Sequence, residues 1–126
     1  MQIWCVNILI VDDNRHMRRM LMGMVGSAFD PSPVLEAADG RSAMLLCREA
    51  RPELVLMDVA LPDASGIDLA AEIMALLPAS KVVVVSNHQT RACQDAARSA
   101  GAAAYVFKDE VYEKLIPALT QVLQGS

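Results

Sequence analysis

The sequence has no surplus of positive charge: 11 lysines and arginines face 15 aspartates and glutamates, for a formal net charge of −4. That balance makes a poor nucleic-acid binder, because neutralising phosphates needs a basic face. One small basic group, Arg15, His16, Arg18 and Arg19, reads as the solvated side of a helix. Long apolar runs are missing too. The aliphatic stretches reach four or five residues, Val82 to Val85 among them, where a membrane-spanning helix needs about 20. The opening Met1-Gln2-Ile3-Trp4-Cys5-Val6 has no basic start and meets Asn7, so it does not read as a signal peptide. Cysteine is scarce and odd in number. Cys5, Cys47 and Cys93 show neither CxxC nor Cys/His spacing, which argues for reduced thiols in a cytoplasmic protein and against a disulfide framework or zinc site. No glycine-rich loop follows the first β-like run, which weakens a nucleotide- or flavin-binding reading.

What is present fits one domain. The chain has 126 residues, 54% of them hydrophobic, and a chain of this length buries roughly two-thirds of its unfolded surface. Short β-like runs alternate with stretches of helical periodicity. Cys5 to Val11 is β-rich, and a helix pattern from Arg15 to Phe29 follows, with Met17, Met20, Leu21, Met24 and Val25 on one stripe. Asp30-Pro31-Ser32-Pro33 ends it. Val34 to Ala37 is a strand candidate, followed by a helix over Arg41 to Ala50. Leu54 to Met57 precedes a helix over Ile67 to Leu77, which Pro78 closes. Lys81 to Val85 reads as a buried strand, Thr90 to Ala100 as a helix stopped by Gly101. Ala103 to Phe107 is strand-like, and Glu110 to Gln124 is helical. Five strand-then-helix units predict an α/β fold: a flavodoxin-like doubly wound (βα)5 sandwich of three layers, with a parallel sheet in the order 2-1-3-4-5.

In such sheets the ligand site lies beyond the carboxyl ends of the strands. Asp12 and Asp13 follow the first run, Asp58 the third, Ser86 the fourth and Lys108 the fifth. Each has an ordinary explanation alone. Asp12 and Asp13 could cap a helix, Asp58 could serve a turn, Ser86 could bond to backbone, and Lys108 could be a surface lysine. Together they converge on one edge, where three carboxylates repel unless a cation intervenes. Carboxylates, a hydroxyl and an ammonium suit metal-assisted phosphoryl transfer onto an aspartate.

The sequence resembles the receiver domains of two-component response regulators over essentially its whole length. The resemblance rests on Ile8-Leu9-Ile10-Val11-Asp12-Asp13, on Leu56-Met57-Asp58-Val59-Ala60-Leu61-Pro62 with Gly66, on Val85-Ser86, and on Gly101 through Lys108. Glu36-Ala37-Ala38-Asp39-Gly40 adds a second-strand pattern. It implies Asp58 as phosphoacceptor and a Mg²⁺ (or Mn²⁺) site formed by Asp12, Asp13, Asp58 and the backbone carbonyl of Ala60. Lys108 would stabilise the phosphoryl group, and Ser86 and Tyr105 would act as the switch pair. Implied partners are a histidine kinase or histidine phosphotransfer protein upstream and an effector domain or protein downstream. A homodimer through the face of helix four, strand five and helix five is also implied, with no direct nucleic-acid or membrane contact. That output face would include Arg91, Gln94, Asp95, Tyr105 and Tyr112. The protein would be a switch rather than an enzyme, catalysing only its own phosphoryl uptake and slow autodephosphorylation.

Three positions depart from the family pattern. Asn87 stands where a small residue is usual, Ala60 puts no side chain where hydrolysis is often tuned, and Asp109 replaces a frequent proline. Asn87 and Ala60 are therefore expected to tune access to Asp58. The last helix pattern ends within two residues of Ser126, so no DNA-binding domain is expected within these 126 residues. Residues 1–126 are expected to form a single receiver domain, either stand-alone or excised from a longer regulator. The alternative is a degenerate receiver that never takes phosphate and acts as an interaction module. A small Mg²⁺-dependent phosphatase is a further rival, but it would want a second aspartate where Ala60 stands.

Overall fold

The computed structural model describes residues 6–30 and 32–125. Five parallel strands, β1 (Ile8–Val11), β2 (Val34–Ala37), β3 (Leu54–Met57), β4 (Lys81–Ser86) and β5 (Ala104–Phe107), pair in the order β2-β1-β3-β4-β5. Five helices connect and cover them: α1 (Arg15–Ala28), α2 (Gly40–Ala50), α3 (Gly66–Leu76), α4 (Arg91–Ser99) and α5 (Val111–Gln124). The expected doubly wound fold and strand order are both present. Among the described residues no helix is long and apolar enough to cross a membrane.

Alternation along the strands builds two cores. Ile8, Ile10, Leu54, Leu56, Val83 and Val85 face Leu21 and Val25 of α1 and Leu115 and Leu119 of α5. Leu9, Val11, Val55, Met57 and Val82 face Ala43 and Cys47 of α2 and Ala70 and Ile73 of α3. Strands buried on both faces are near-continuously apolar, which is why β1, β3 and Val82 to Val85 of β4 read as apolar runs. Each fully buried Leu, Ile or Val there stabilises the fold by about 1.5–3 kcal/mol.

The boundaries follow from local chemistry. Asn14, Asp39, Ser65 and Thr90 each occupy the residue before a helix, and their side chains accept from N–H groups of the first turn. The helix pattern from Glu110 begins instead with a single 3-10 turn, Lys108–Glu110, and α5 proper starts at Val111. Gly101 leaves α4 at φ 104°, the left-handed exit expected of it. Cys5, at the start of the expected first strand, lies outside the described residues, and the described strand begins at Ile8.

Candidate functional site at the carboxyl edge of the sheet

The parallel register brings the strand ends level. Val11 pairs with both Ala37 and Met57, so the residues after β1 and β3 leave the sheet side by side. The ladder continues one residue further: the Asp12 N–H donates to the Ala37 carbonyl at 3.1 Å and the Asp58 N–H to that of Val11 at 3.0 Å. Asp12, Asp13 and Asp58 therefore converge, each offering an oxygen within 4.8 Å of the others. Asp12 and Asp58 are buried and Asp13 is exposed. Helix capping does not occupy this pair. Asn14 caps α1 by accepting from Met17 N–H at 2.9 Å, while Asp12 Oδ1 accepts from Asn14 N–H at 2.8 Å.

Lys108, just past β5, reaches across the edge. Its Nζ lies 2.9 Å from Asp12 Oδ2 and 3.2 Å from Asp58 Oδ2. One ammonium among three carboxylates leaves the cluster negative. Burial pushes Asp58 above the usual carboxylate range and the Asp12 charge pushes the same way; the Lys108 ammonium and the Ala60 N–H pull it back. Burial works to lower Lys108, but its close pairing with Asp12 and the charges of Asp58 and Asp12 hold it above its ordinary value. Asp12 Oδ2 meets Lys108 only as an ion pair and has no well-aligned hydrogen bond, although it is fully buried. A negative set of oxygen donors, including a buried carboxylate oxygen whose one close partner is the Lys108 ammonium, fits Mg²⁺, which takes hard oxygen ligands in small number and keeps waters.

The loop after Asp58 is tightly closed. Ala60 bridges Ser65 in an antiparallel pair, and the Gly66 N–H donates to the Val59 carbonyl at 2.7 Å. A Cβ at Gly66 would sit 1.8 Å from the Asp58 carbonyl oxygen, so only glycine admits this approach. The backbone of Ala60 borders Asp58 through its N–H on the Asp58 carboxylate.

Ser86 ends β4 beside Phe107 of β5 and is fully buried. Its Oγ accepts from the His88 N–H at 3.0 Å, and the Tyr105 hydroxyl donates to the His88 carbonyl at 2.7 Å. Burial raises the Tyr105 hydroxyl pKa while the Ser86 hydroxyl works against that. The Tyr105 ring packs edge-on against Phe107 with centroids 5.9 Å apart. Asn87 is exposed. Asp109 is bound by Gln89, whose Nε2 lies 3.2 Å from both carboxylate oxygens, tying the β4–α4 loop to the start of the 3-10 turn.

Three contacts escaped the sequence reading. Arg18, grouped there with solvated basic residues, donates from Nη1 to the Asp12 carbonyl at 2.8 Å and from Nε to Glu36 at 2.6 Å. Asp63 accepts from the N–H groups of Gly40 and Arg41 at 2.8 and 3.0 Å, which holds the β3–α3 loop on the start of α2. Gln89 is the third. Gln94 and Tyr105 line a groove of about 460 Å³ over β5 together with Phe107, Glu113 and Pro117. Tyr112 is exposed, and its hydroxyl lies 3.0 Å from Met20 Sδ of α1.

The family model for the response regulator receiver domain matches residues 8–120, which include every residue of this cluster. The chain belongs to that family. This receiver is 35% identical over 115 residues to the chemotaxis protein CheY of Thermotoga maritima, covering 91% of this chain and 95% of that protein. It is 31% identical to the DNA-binding transcriptional activator DevR/DosR of Mycobacterium tuberculosis, covering 95% of this chain and 55% of the activator. An uncharacterised transcriptional regulatory protein of Bacillus subtilis, YxjL, matches at 31% with the same coverage. The receiver thus spans about half the length of those two regulators. Among solved structures, a LuxR-family two-component response regulator from Aurantimonas superposes with a TM-score of 0.87 at 32% identity, covering 96% of this chain and 86% of that one.

Proposed function

We propose that this receiver is a phosphorylation switch in a two-component phosphorelay, with Asp58 as the phosphoacceptor. The observation that carries the reading is the placing of Asp58 Oδ2 3.2 Å from Lys108 Nζ, beside the acidic pair Asp12 and Asp13. A solved response regulator from Burkholderia pseudomallei, 25% identical with a TM-score of 0.82, carries a phosphorylated aspartic acid and a calcium ion. That relative lends support to both the acceptor chemistry and a divalent cation.

A divalent cation, Mg²⁺ or Mn²⁺, would be held by Asp12, Asp13, Asp58 and the Ala60 carbonyl, and would offset charge on the transferring phosphoryl oxygens. The chain's own residues do the rest. A carboxylate oxygen of Asp58 forms the new O–P bond while the donor's bond to phosphorus breaks. Lys108 neutralises charge on the arriving group and shifts its partnership from Asp58 towards a phosphoryl oxygen. The Ser86 hydroxyl can donate to another phosphoryl oxygen only by giving up its present orientation near His88. Tyr105, bonded to the His88 carbonyl, is drawn into the same rearrangement, and the groove over β5 carries the change to a partner. Self-catalysed uptake and slow hydrolysis follow from this site, which lacks a second acid at position 60.

The donor would be a histidine kinase or phosphotransfer protein, and the recipient an effector domain or protein. Intact mass after incubation with acetyl phosphate and Mg²⁺ tests the reading. One added phosphoryl group is expected, absent without Mg²⁺ and absent in Asp58→Ala. A chain that takes no phosphate from this donor or from a kinase would be the degenerate interaction module instead.

A further inference from the structure

The basic group on the first turns of α1 divides in two. Arg15, His16 and Arg19 are exposed, whereas the Arg18 side chain is 13% exposed. Its guanidinium holds the Asp12 carbonyl at 2.8 Å with Nη1 and Glu36 Oε1 at 2.6 Å with Nε, joining the end of β1 to β2. That carbonyl belongs to the peptide between Asp12 and Asp13. A peptide is planar, so fixing its oxygen fixes the orientation of the whole unit. The Asp12 N–H is fixed as well, by the Ala37 carbonyl, and Oδ1 by the Asn14 N–H. The remaining freedom is the tilt of the Asp12–Asp13 peptide, and Arg18 removes it.

We infer that Arg18 is a positioning residue for the divalent cation: it sets the direction in which the carboxylates of Asp12 and Asp13 leave the sheet edge. The inference rests on the reading of this edge as a cation site. A planar fork serves two acceptors at once in fixed directions, which a lysine cannot do. Electrostatics alone makes the opposite prediction. Arg18 is a cation close to the acidic pair, and removing it would leave Glu36 unpaired and the edge more negative. On charge alone, Arg18→Met would tighten cation binding; on positioning, it weakens it. The two accounts differ in sign.

The test uses Mn²⁺ as the probe, titrated into the whole chain by calorimetry, for wild type, Arg18→Met and Arg18→Lys. Loss of a group that orients metal ligands typically costs about 10–100-fold in affinity, so both variants are expected to bind Mn²⁺ about tenfold more weakly. Arg18→Lys keeps the charge and loses the fork, so it isolates geometry even where Arg18→Met fails to fold. A second readout is the Mg²⁺ dependence of acetyl phosphate uptake. The half-saturating Mg²⁺ should rise in step with the dissociation constant, while the rate at saturating Mg²⁺ stays at the wild-type level. A residue serving only stability would lower the thermal midpoint and leave Mn²⁺ affinity of the folded chain unmoved. Arg18→Met binding as tightly as wild type, or more tightly, overturns the inference. Arg18→Lys indistinguishable from wild type does so too. Wild type failing to bind Mn²⁺ would overturn the cation reading itself and the inference with it.

Discussion

Replacing Gly66 with alanine asks the most of the structure for the smallest chemical change. The added Cβ would lie 1.8 Å from the Asp58 carbonyl oxygen, 2.7 Å from its carbon and 2.9 Å from Val59 Cα. All three are backbone atoms, so no side chain can swing away. The loop must recede by about 1.2 Å before the closest contact reaches even 3.0 Å. That movement stretches the Gly66 N–H bond to the Val59 carbonyl, now 2.7 Å. Overpacking of this kind costs about 1–3 kcal/mol, and the weakened hydrogen bond adds about 1 kcal/mol. We expect Gly66→Ala to lose about 2–4 kcal/mol, a large part of the stability of a small domain. Urea unfolding followed by circular dichroism measures it, with the midpoint falling by about 1–2 M for a typical slope. Gly26→Ala is the control. It lies within α1 with nothing within 4 Å of its would-be Cβ, so alanine there should stabilise by about 0.5–1 kcal/mol. If Gly66→Ala unfolds at the wild-type midpoint, the close approach of the two segments does not hold the acceptor loop and the argument fails.

Three further outcomes follow from the same contacts. Asp58→Asn should be more stable than wild type at neutral pH, because burial and Asp12 raise the carboxyl and its ionisation weakens the fold. The advantage fades as pH falls through the raised value and is gone below the ordinary carboxylate pKa, where both forms are neutral; unfolding midpoints across pH would show this. Lys108→Met leaves Asp12 and Asp58 buried without their cation and should cost about 3 kcal/mol at neutral pH, read by urea unfolding; an unchanged midpoint would mean that the ion pairs contribute nothing. Cys47 is buried in the α2 core with its thiol pushed up to about 11 by burial, against the pull of Arg48. A thiol reagent at pH 8 should therefore modify Cys47 no faster than the protein opens, whereas half-buried Cys93 reacts in the folded state.

Where the sequence was legible, one element sufficed to determine the pattern. Lys81 to Val85 stood out because the middle of β4, Val82 to Val85, is covered on both faces and is apolar throughout. Val34 to Ala37 was fainter because β2 is an edge strand with exposed Glu36. Asp12, Asp13, Asp58, Ser86 and Lys108 could be placed together because parallel strands deliver their carboxyl ends to one edge, whatever the side chains do. The supporting contacts obey no such rule. Arg18 and Glu36 are 18 residues apart, Gln89 and Asp109 20, Asp63 and Gly40 23. Each depends on how far a side chain or loop reaches between elements, a quantity that periodicity does not carry.

His88 contributes no side chain to the proposed switch pair, yet Ser86 and Tyr105 are both bonded to its backbone. Ser86 holds its N–H and Tyr105 holds its carbonyl. The serine and the tyrosine are thus bonded to the two backbone groups of one residue, so a rearrangement of that residue's main chain would act on both. A position of this kind accepts almost any amino acid while still imposing a strict requirement, because every residue except proline supplies the same N–H. Variation at position 88 would then pass unnoticed by any test that watches side chains, and a single proline there would uncouple the pair.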